Sequence, residues 1–544
     1  MNNKKQGDYL IIAGIAIGFI IWAALLIYHS SFIAIDGQRY FSLFDDAMIS
    51  MRYAWNLSHG IGLVWNPGEW VEGYTNLLMV LLMSLVTLIF DNKSIAVLAI
   101  QISGIIFMLA NAYLAMRIAE QISLGESQQH RLLLKLITFF CTLSYYPLVY
   151  WSLMGMETGL LTFLLLLGIL FVLRNTREHN QNLLFLVPII LGLAYLTRPD
   201  SLIPAVIILT YFYYSESRQK SIHFSHAFIL GIVSLYLMFP VGKTLFSWLY
   251  YGELFPNTYT LKIVGMPLWH RLQNGLAFIT PFLSANILMM LVVMLGIVAN
   301  FRPQKLLLVA IASAVICYQI WNGGDPWPYW RILSPVMPLI LILFVHEILL
   351  IVAALSKRTI LQNPIYIGLL IIFSGLVQTN FAFLGEIFFL KKPYHTGANH
   401  TNINDAIALA HLTTAEATLG VIWAGSIPYY TGRISIDFLG KNDKYIARLN
   451  PDLSEPAWHG MRGVPGHNKY DLNYSIKLKQ PTYVQTFDWG KFVWGSQDIS
   501  AWAENQYVEV KYKGIRLFFH KDSQAVRWDE LKRSNESLFE LEKP

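Results

Sequence analysis

Long apolar runs separated by short polar segments fill the first 385 residues of the chain. The run at 9–35 has 27 residues with no acidic or basic side chain other than His29, enough to cross about 30 Å of hydrocarbon. This run and ten more predict an α-helical polytopic membrane protein with about eleven spans. The ten lie at 94–116, 132–150, 158–173, 183–197, 202–214, 224–250, 281–300, 306–321, 332–350 and 364–384.

A twelfth run, 77–90, has only 14 residues, which suits a helix lying in the membrane interface better than a span. Omitting it from the spans leaves the short basic loops with Arg117, Arg131 and Arg302 on the N-terminal side. The positive-inside rule then predicts a cytoplasmic N-terminus. No A-x-A-like cleavage site follows the first run, so we expect it to be retained.

The pattern changes near residue 385, where charged residues become frequent and no run is long enough to span a membrane. We therefore predict a transmembrane domain, 1–385, with a first outer loop at 36–93, and a separate extracytoplasmic α+β domain, 386–544. Periodicity in the second domain predicts one helix and five strands. The helix is 403–417, and the strands are 419–424, 434–438, 482–487, 507–512 and 515–520. The sequence from Trp423 to Arg448 is expected to form a strand, a Gly-containing turn and a second strand.

Composition supports a membrane protein and argues against a nucleic-acid-binding protein, a disulfide-rich protein and a cysteine metal site. Of 544 residues, 55% are hydrophobic and only 14% charged, with a mean hydropathy of +0.45. The net charge of +6 is spread over short loops, and no basic tract with interleaved aromatics indicates a nucleic-acid partner. Cys141 and Cys317 lie inside apolar runs and offer neither a disulfide framework nor a metal-ligand spacing.

Polar residues are concentrated at the predicted outer ends of the spans, which indicates an outward-facing polar site. In the first outer loop, Asp45 and Asp46 come just before a stretch with helical spacing. One of them could simply cap that helix. Two adjacent carboxylates at a membrane surface can also act as a general base for a hydroxyl. They could bind a divalent cation such as Mg or Mn, although no ligand spacing requires a metal.

Three further candidates lie at membrane boundaries. Glu72 and Tyr74 belong to VEGYTN, directly before the interfacial run, and Glu157 belongs to SLMGMETG between two spans. A lone glutamate at such a place is either a solvated helix end or part of a site. We include all three as candidate substrate-binding residues.

Two basic residues near the outer ends of spans allow two interpretations each. Arg198 ends a span in LAYLTRPDS, next to Pro199. Its guanidinium could snorkel to the interface, or it could hold a phosphate bidentately. For Arg198 we favour phosphate binding. For Lys243 we favour snorkelling.

Two loops rich in aromatics, Gly and Pro lie at 250–262 and 321–331. An aromatic belt explains their Trp and Tyr residues, but it leaves the polar groups among them unexplained. Aromatic faces beside amide and carboxylate groups suit a sugar ring. The substrate-binding candidates here are Asn257, Tyr259, Asp325 and Arg331. His467, in VPGHNKYD of the distal domain, is either a structural turn residue or a ligand.

Seven separated segments, taken in order, resemble one family. They are FDDAMISMRYAWNLSHGIGLVWNPGEWVEGYTN, SLMGMETG, LTRPD, YYGELFPNTYTLK, NGGDPWPYWRILSPVMP, AGSIPYYTGRISIDFLG and VPGHNKYD, within residues 40–475. Together they are similar to the terminal arabinofuranosyltransferases of actinobacterial cell walls and their relatives in other bacteria. The order of the motifs makes the resemblance specific, although each motif alone is weak.

The resemblance implies the C-type glycosyltransferase (GT-C) fold in a bacterial cytoplasmic, or inner, membrane. It also implies a polyprenyl-phosphate sugar donor, here decaprenyl-phosphoryl-arabinofuranose. The first-loop aspartates of the family match Asp45 and Asp46, and the arginine of LTRPD matches Arg198. The acceptor stays open between a glycan and a protein such as a pilin, and the short distal domain speaks against a large cell-wall polysaccharide.

Two other functions compete with the single-sugar transferase. A ligase or polymerase of lipid-linked glycans would use a similar donor on the same face, and only the family motifs argue against it. A lipid-sugar flippase should carry polar residues in the middle of its spans. Most spans here are nearly free of such residues, which disfavours the flippase.

Overall fold

The computed structural model of the chain describes residues 2–178, 181–218, 226–357, 364–454, 460–490, 497–533 and 538–539. Its membrane part is helical, apart from a short hairpin of β1 (Phe32–Ile33) and β2 (Arg39–Tyr40). The helices are α1 (Asn2–Ser30), α2 (Asp45–Ser58), α3 (Leu77–Ile89), α4 (Lys93–Ile122), α5 (Gln128–Ser144), α6 (Tyr146–Leu153), α7 (Thr158–Glu178), α8 (Gln181–Thr197), α9 (Leu202–Arg218), α10 (His226–Tyr251), α11 (Asn257–Ile263), α12 (Leu268–Ala285), α13 (Ile287–Ala299), α14 (Pro303–Asn322), α15 (Met337–Lys357), α16 (Pro364–Asn380) and α17 (Leu384–Ile387).

Local sequence explains where several of these helices begin and end. The Asn92 side chain accepts hydrogen bonds from the backbone N–H groups of Ser94 and Ile95, both at 3.0 Å, and so caps α4. Pro303 occupies the first turn of α14, where its missing N–H costs nothing. Gly323, at φ +97°, ends the same helix in the left-handed conformation that glycine favours.

Each predicted span overlaps one helix or a bent pair of helices, although the first helix, α1, ends at Ser30 rather than at residue 35. Within the described residues, seven helices are long and apolar enough to cross a membrane, or up to nine if each bent pair is one span. The bent pairs are α5 with α6, at 55°, and α12 with α13, at 82°. The remaining two predicted spans correspond to α8 and α9, each of 17 residues. The protein is thus a multi-pass membrane protein, and a count of eleven spans stays a prediction. The interfacial run forms α3, a separate helix of 13 residues.

The distal part combines helices with a six-stranded mixed sheet of order β10-β8-β9-β5-β3-β4. Strands β3, β4 and β5 are parallel, whereas the other pairings in this sheet are antiparallel. A two-stranded pair, β6 with β7, lies outside it. The elements are α18 (Thr396–Leu412), β3 (Thr418–Val421), α19 (Ser426–Thr431), β4 (Ile434–Asp437), α20 (Lys444–Ala447), a π-helix (Asn473–Leu478), β5 (Tyr483–Val484), β6 (Asp488–Trp489), β7 (Gln497–Asp498), α21 (Ser500–Gln506), β8 (Tyr507–Tyr512), β9 (Ile515–His520), α22 (Trp528–Arg533) and β10 (Leu538–Phe539).

Most of the predicted distal elements are present, but the helix expected at 403–417 is α18 (Thr396–Leu412), and the strand expected at 482–487 is the shorter β5 (Tyr483–Val484). The strands at 507–512 and 515–520 match β8 and β9 residue for residue. The segment from Trp423 to Arg448 does not start with a strand, because β3 ends at Val421. The expected turn instead contains the short helix α19, and a second short helix, α20, follows β4. The predicted boundary at 385/386 remains an expectation.

The distal domain packs directly on the segment 36–93, the predicted first outer loop. The buried guanidinium of Arg52, on α2, donates to the carbonyl oxygens of Pro428 and Arg433, the latter at 2.7 Å. Asn66, in the first outer loop, donates to the Ser435 carbonyl oxygen at 2.7 Å. These contacts hold the distal domain against α2. The candidate site lies at the first turn of that helix, which carries Asp45 and Asp46.

Candidate active site

Asp45 connects the two parts of the molecule. Helix α2 begins at Asp45, and the preceding residue, Phe44, makes no side-chain cap. The Asp45 carboxylate instead accepts hydrogen bonds from the backbone N–H groups of Gly425, at 3.2 Å, and Ser426, at 3.1 Å. These N–H groups lie at the start of α19, so Asp45 stabilises a helix in the distal domain. The simple interpretation of Asp45 as a cap of its own helix is wrong.

Asp46 lies beside Asp45 but makes different contacts. One of its oxygens accepts a hydrogen bond from Nη1 of Arg331 at 2.8 Å, and the other pairs with the ammonium of Lys441. Arg331 also binds Asp325 bidentately, at 3.1 and 2.8 Å. The first outer loop, the 321–331 loop and the distal domain therefore meet at Asp46, and the expected role of Asp325 and Arg331 in substrate binding stays a prediction.

The two adjacent aspartates differ in acidity. Burial raises the pKa of Asp45 to about 7, although its backbone hydrogen bonds and Lys441 act in the opposite direction. Burial would also raise the pKa of Asp46, but the charges of Lys441 and Arg331 outweigh it and hold that pKa well below its usual range. Environments that separate the pKa values of two carboxyl groups suit them to different roles in catalysis.

A first cavity of about 320 Å³ opens above Asp45 and Asp46. Most of the distal residues around it lie at or just after the carboxyl ends of the parallel strands β3, β4 and β5. In α/β proteins, ligands bind at this edge of a parallel sheet. Trp327 and Trp423 lie with ring centres 6.3 Å apart and planes at 31°. The lining includes Asp45, Asp46, Trp327, Trp423, Asp437, Lys441, His467, Gln485, Asp488 and Trp489. We refer to this space as the aromatic cavity.

A second cavity of about 420 Å³ also has Asp46 in its lining. Asp46, Ile49 and Lys441 line both cavities, so the two spaces adjoin. The second cavity also includes the exposed apolar side chains Leu254 and Phe255. Its charged lining consists of Asp46, Glu157, Arg198, Asp200, Lys243, Lys262, Asp325, Arg331 and Lys441. We refer to it as the cationic cavity because five of these residues are basic.

Arg198 lies at the cationic cavity, as expected, but its guanidinium is already engaged. It binds Asp200 bidentately, with both distances at 3.0 Å, and donates to Glu157 at 2.8 Å. The Glu157 side chain is buried, and it also accepts a hydrogen bond from Asn76 at 3.1 Å. The structure thus brings the two candidates Glu157 and Arg198 together as an ion pair, which the sequence did not predict.

Glu72 and Lys243 form a buried ion pair of 2.8 Å. Their side chains are only 1% and 5% exposed, respectively, so the snorkelling expected of Lys243 is wrong. Glu72 lies outside the lining of both cavities, and its expected role as a substrate ligand stays a prediction. Tyr74 lines the cationic cavity and bonds Tyr251 through its hydroxyl at 3.1 Å.

Asn257 and Tyr259 share one short helix, α11, but have different positions. Asn257 is buried and donates to the carbonyl oxygens of Gly440, Lys441 and Asp443, at 2.9 to 3.2 Å. Asn257 thus holds the loop that carries Lys441, whereas Tyr259 lines the cationic cavity and is half exposed.

His467 lines the aromatic cavity, between Trp327 and Trp489. Burial lowers its pKa to about 3, so its imidazole is neutral at pH 7. An uncharged imidazole ring at this position suits contact with an uncharged ligand better than contact with a phosphate. His467 is therefore a wall residue of the cavity as well as part of a turn.

Sequence reasoning missed Lys441, Lys262, Trp423 and Gln485, which all line a cavity. Lys262, Trp423 and Lys441 lie in segments already singled out. The signal that could have found the two lysines is the excess of acidic residues in the outer loops, since buried carboxylates require cationic partners.

The aspartate pair does not fit a divalent cation. Both oxygens of Asp45 accept backbone N–H bonds, and both oxygens of Asp46 bind cationic side chains. Within the part of the chain that the structure describes, no group of three or more His, Cys, Asp or Glu side chains is placed to hold a metal ion.

Comparisons with known proteins agree with this architecture. Residues 395–530 match the family model of a domain of unknown function, DUF8728. No curated protein sequence matches the chain. Among solved structures, the chain is similar to apo ArnT from Cupriavidus metallidurans, with TM-score 0.50 and 12% identity, covering 78% of this chain and 86% of that one.

It is also similar to an oligosaccharyltransferase from Archaeoglobus fulgidus. The apo form gives TM-score 0.54 and 12% identity, covering 95% of this chain and 75% of that one. A form tethered to an acceptor peptide with the NVT sequon also gives TM-score 0.54 and 12% identity, covering 97% and 75%. At this identity the likeness concerns the fold, and it confirms the expected GT-C membrane fold; the structure also contains the expected small distal domain of helices and strands.

Proposed function

We propose that the protein transfers a single sugar from a polyprenyl-phosphate carrier to an acceptor on the extracytoplasmic side of the membrane. The observation that carries this proposal is the position of the Asp45–Asp46 pair, where an aromatic cavity adjoins a cationic one. One of the proteins with a similar fold is an oligosaccharyltransferase by name, which supports a transferase activity here.

The cationic cavity is assigned to the donor. Its basic residues provide the charge that a phosphate requires, and the exposed Leu254 and Phe255 offer an apolar exit for a prenyl chain. A donor bound in this way would place its sugar near Asp46, which lines both cavities. Arg198 remains a candidate phosphate ligand, provided that its guanidinium leaves Asp200.

The aromatic cavity is assigned to the acceptor. The rings of Trp327, Trp423 and His467 can cover apolar surface, while Gln485 and Asp488 offer polar groups to an incoming molecule. The acceptor is a glycan or a protein such as a pilin. Arabinofuranose is the proposed sugar, on the strength of the family motifs.

Asp45 is assigned as the general base. It takes the proton from the acceptor hydroxyl while that oxygen forms a bond to the anomeric carbon, and the bond between that carbon and the phosphate oxygen breaks. The leaving polyprenyl phosphate keeps the electron pair. A pKa of about 7 supports this role, because a base is most effective when its pKa lies near the working pH.

Transfer of labelled sugar by the purified protein in lipid nanodiscs tests the proposal. The donors would be polyprenyl-phosphoryl-arabinofuranose, the same carrier with another pentose, and a polyprenyl-linked oligosaccharide. Transfer from the first donor, lost in Asp45→Asn, is the expected result. Transfer from the oligosaccharide donor alone would favour the glycan ligase, and mass spectrometry of the co-purified lipid would identify the natural carrier.

A further inference from the structure

The cationic cavity contains five basic side chains, and four of them are paired. Arg198 binds Glu157 and Asp200, Lys243 binds Glu72, and Arg331 and Lys441 share Asp46. Lys262 is the exception: within the described residues it has neither a hydrogen bond nor an ion pair. An ammonium at the wall of a cavity with no acidic partner is available to an anionic ligand.

The structure holds Lys262 in place from two sides. Lys469 is buried and donates to the carbonyl oxygens of Thr260 and Val264, at 3.0 and 2.8 Å, on either side of Lys262 in the chain. The stem of Lys262 lies against Gly466, where an added Cβ would come 3.2 Å from the Lys262 Cε. Helix α11 is thus fixed to the distal domain, and Lys262 extends from its last turn.

We infer that Lys262 is the residue that binds the phosphate of the lipid carrier, with Arg331 of the same cavity as a second cation. This inference rests on the proposed function. Asp325 and Asp46 already neutralise much of the charge of Arg331, so Lys262 supplies the charge that the other cations lack. The donor phosphodiester carries one negative charge, and the leaving phosphate monoester develops a second. A free ammonium stabilises that second charge as the glycosidic bond breaks.

Lys262 stays protonated at neutral pH although its surroundings lower its pKa. Burial lowers its pKa to about 8, and Asp325 and Asp46 oppose this effect while Arg331 and Lys441 add to it. The ammonium form therefore prevails at pH 7. Binding of a phosphate adds a negative charge nearby and stabilises that form further.

Binding of undecaprenyl phosphate and of undecaprenol to the full-length protein in nanodiscs tests this inference. The variants are Lys262→Met, Lys262→Arg and, as matched control, Lys444→Met, which removes a nearby lysine that lines neither cavity. Loss of one charge-assisted hydrogen bond should weaken binding of undecaprenyl phosphate by Lys262→Met roughly 10- to 100-fold. Undecaprenol binding should stay unchanged, Lys262→Arg should retain most of the affinity, and Lys444→Met should behave as wild type.

Equal affinity of Lys262→Met and wild type for undecaprenyl phosphate would overturn the assignment of Lys262 and leave the proposed function standing. A wild-type protein that binds undecaprenol as tightly as undecaprenyl phosphate would contradict the proposed function itself. Thermal unfolding of each variant shows whether a loss of binding reflects a loss of fold.

Discussion

The carboxylate of Asp45 accepts a hydrogen bond of 3.1 Å from the backbone N–H of Ser426, 381 residues later in the chain. This bond joins the first outer loop to the distal domain at the point where the two cavities meet. Burial of the Asp45 side chain raises its pKa to about 7, and the hydrogen bond from Ser426 only partly opposes that effect. Fold and proposed chemistry thus depend on the same carboxylate.

Asp45→Asn should abolish most sugar transfer. A positioned general base contributes roughly 10²–10⁴-fold to the rate, so a loss of that size is expected with carrier binding nearly intact. The assay is transfer of labelled sugar, with thermal unfolding as the check on fold. Asp46→Asn should lose less activity. If Asp45→Asn transfers sugar at nearly the wild-type rate, Asp45 is not the general base, and Asp46 becomes the candidate.

The rate should depend on pH through Asp45. Only its carboxylate form accepts a proton, so the rate should fall as the pH drops through about 7. The positive charge of Lys441 lowers the pKa of Asp45. Lys441→Met should therefore move this limb of the pH profile to higher pH, whereas Lys444→Met should leave it in place. An unmoved limb would show that another group titrates.

Gly425→Ala should damage the site through sterics. A Cβ at residue 425 would lie 2.2 Å from the backbone oxygen of Asp45 and 2.6 Å from its Oδ1. Overpacking of this kind typically costs about 1–3 kcal/mol, so both the unfolding temperature and the transfer rate should fall. Gly397→Ala, where an added Cβ meets nothing within 4 Å, is the matched control. Equal behaviour of the two variants would contradict the tight contact.

Arg198 can be tested by changing its partner. Arg198→Ala leaves the buried Glu157 without its cation, and breaking a buried pair in this way costs about 3–5 kcal/mol. The variant should therefore unfold at lower temperature. Asp200→Asn weakens the competing ion pair, so it should raise affinity for undecaprenyl phosphate if Arg198 is a phosphate ligand. If Asp200→Asn leaves the affinity for undecaprenyl phosphate unchanged, Arg198 stabilises the fold and does not bind the phosphate.

Cysteine labelling tests the predicted sidedness. The native Cys317 is exposed and should first be replaced by serine. An impermeant reagent applied from outside should then label Lys479→Cys in the distal domain but not Gln129→Cys, which is exposed at the start of α5. The reverse pattern would contradict a cytoplasmic N-terminus.

The sequence alone determined the features that depend on residues close together in the chain. Apolar runs predict helices because each backbone polar group in lipid must bond within its own segment. The pair β8 and β9 was equally predictable, since alternating strands flank Gly514, which adopts φ +80° at the turn. Local patterns also located Asp45, Asp46, Asp325 and Arg331 at one end of the spans.

Only the tertiary structure decided how these charges pair. Asp46 and Lys441 are 395 residues apart, and Glu72 and Lys243 face one another from separate elements, so no local pattern reveals either pair. The same reason explains α19, whose first N–H groups are capped by Asp45 from another part of the chain rather than by a residue of their own loop. Which carboxylate is buried and which lysine stays unpaired follows from long-range packing, because burial and ion pairing depend on every element that surrounds a charge.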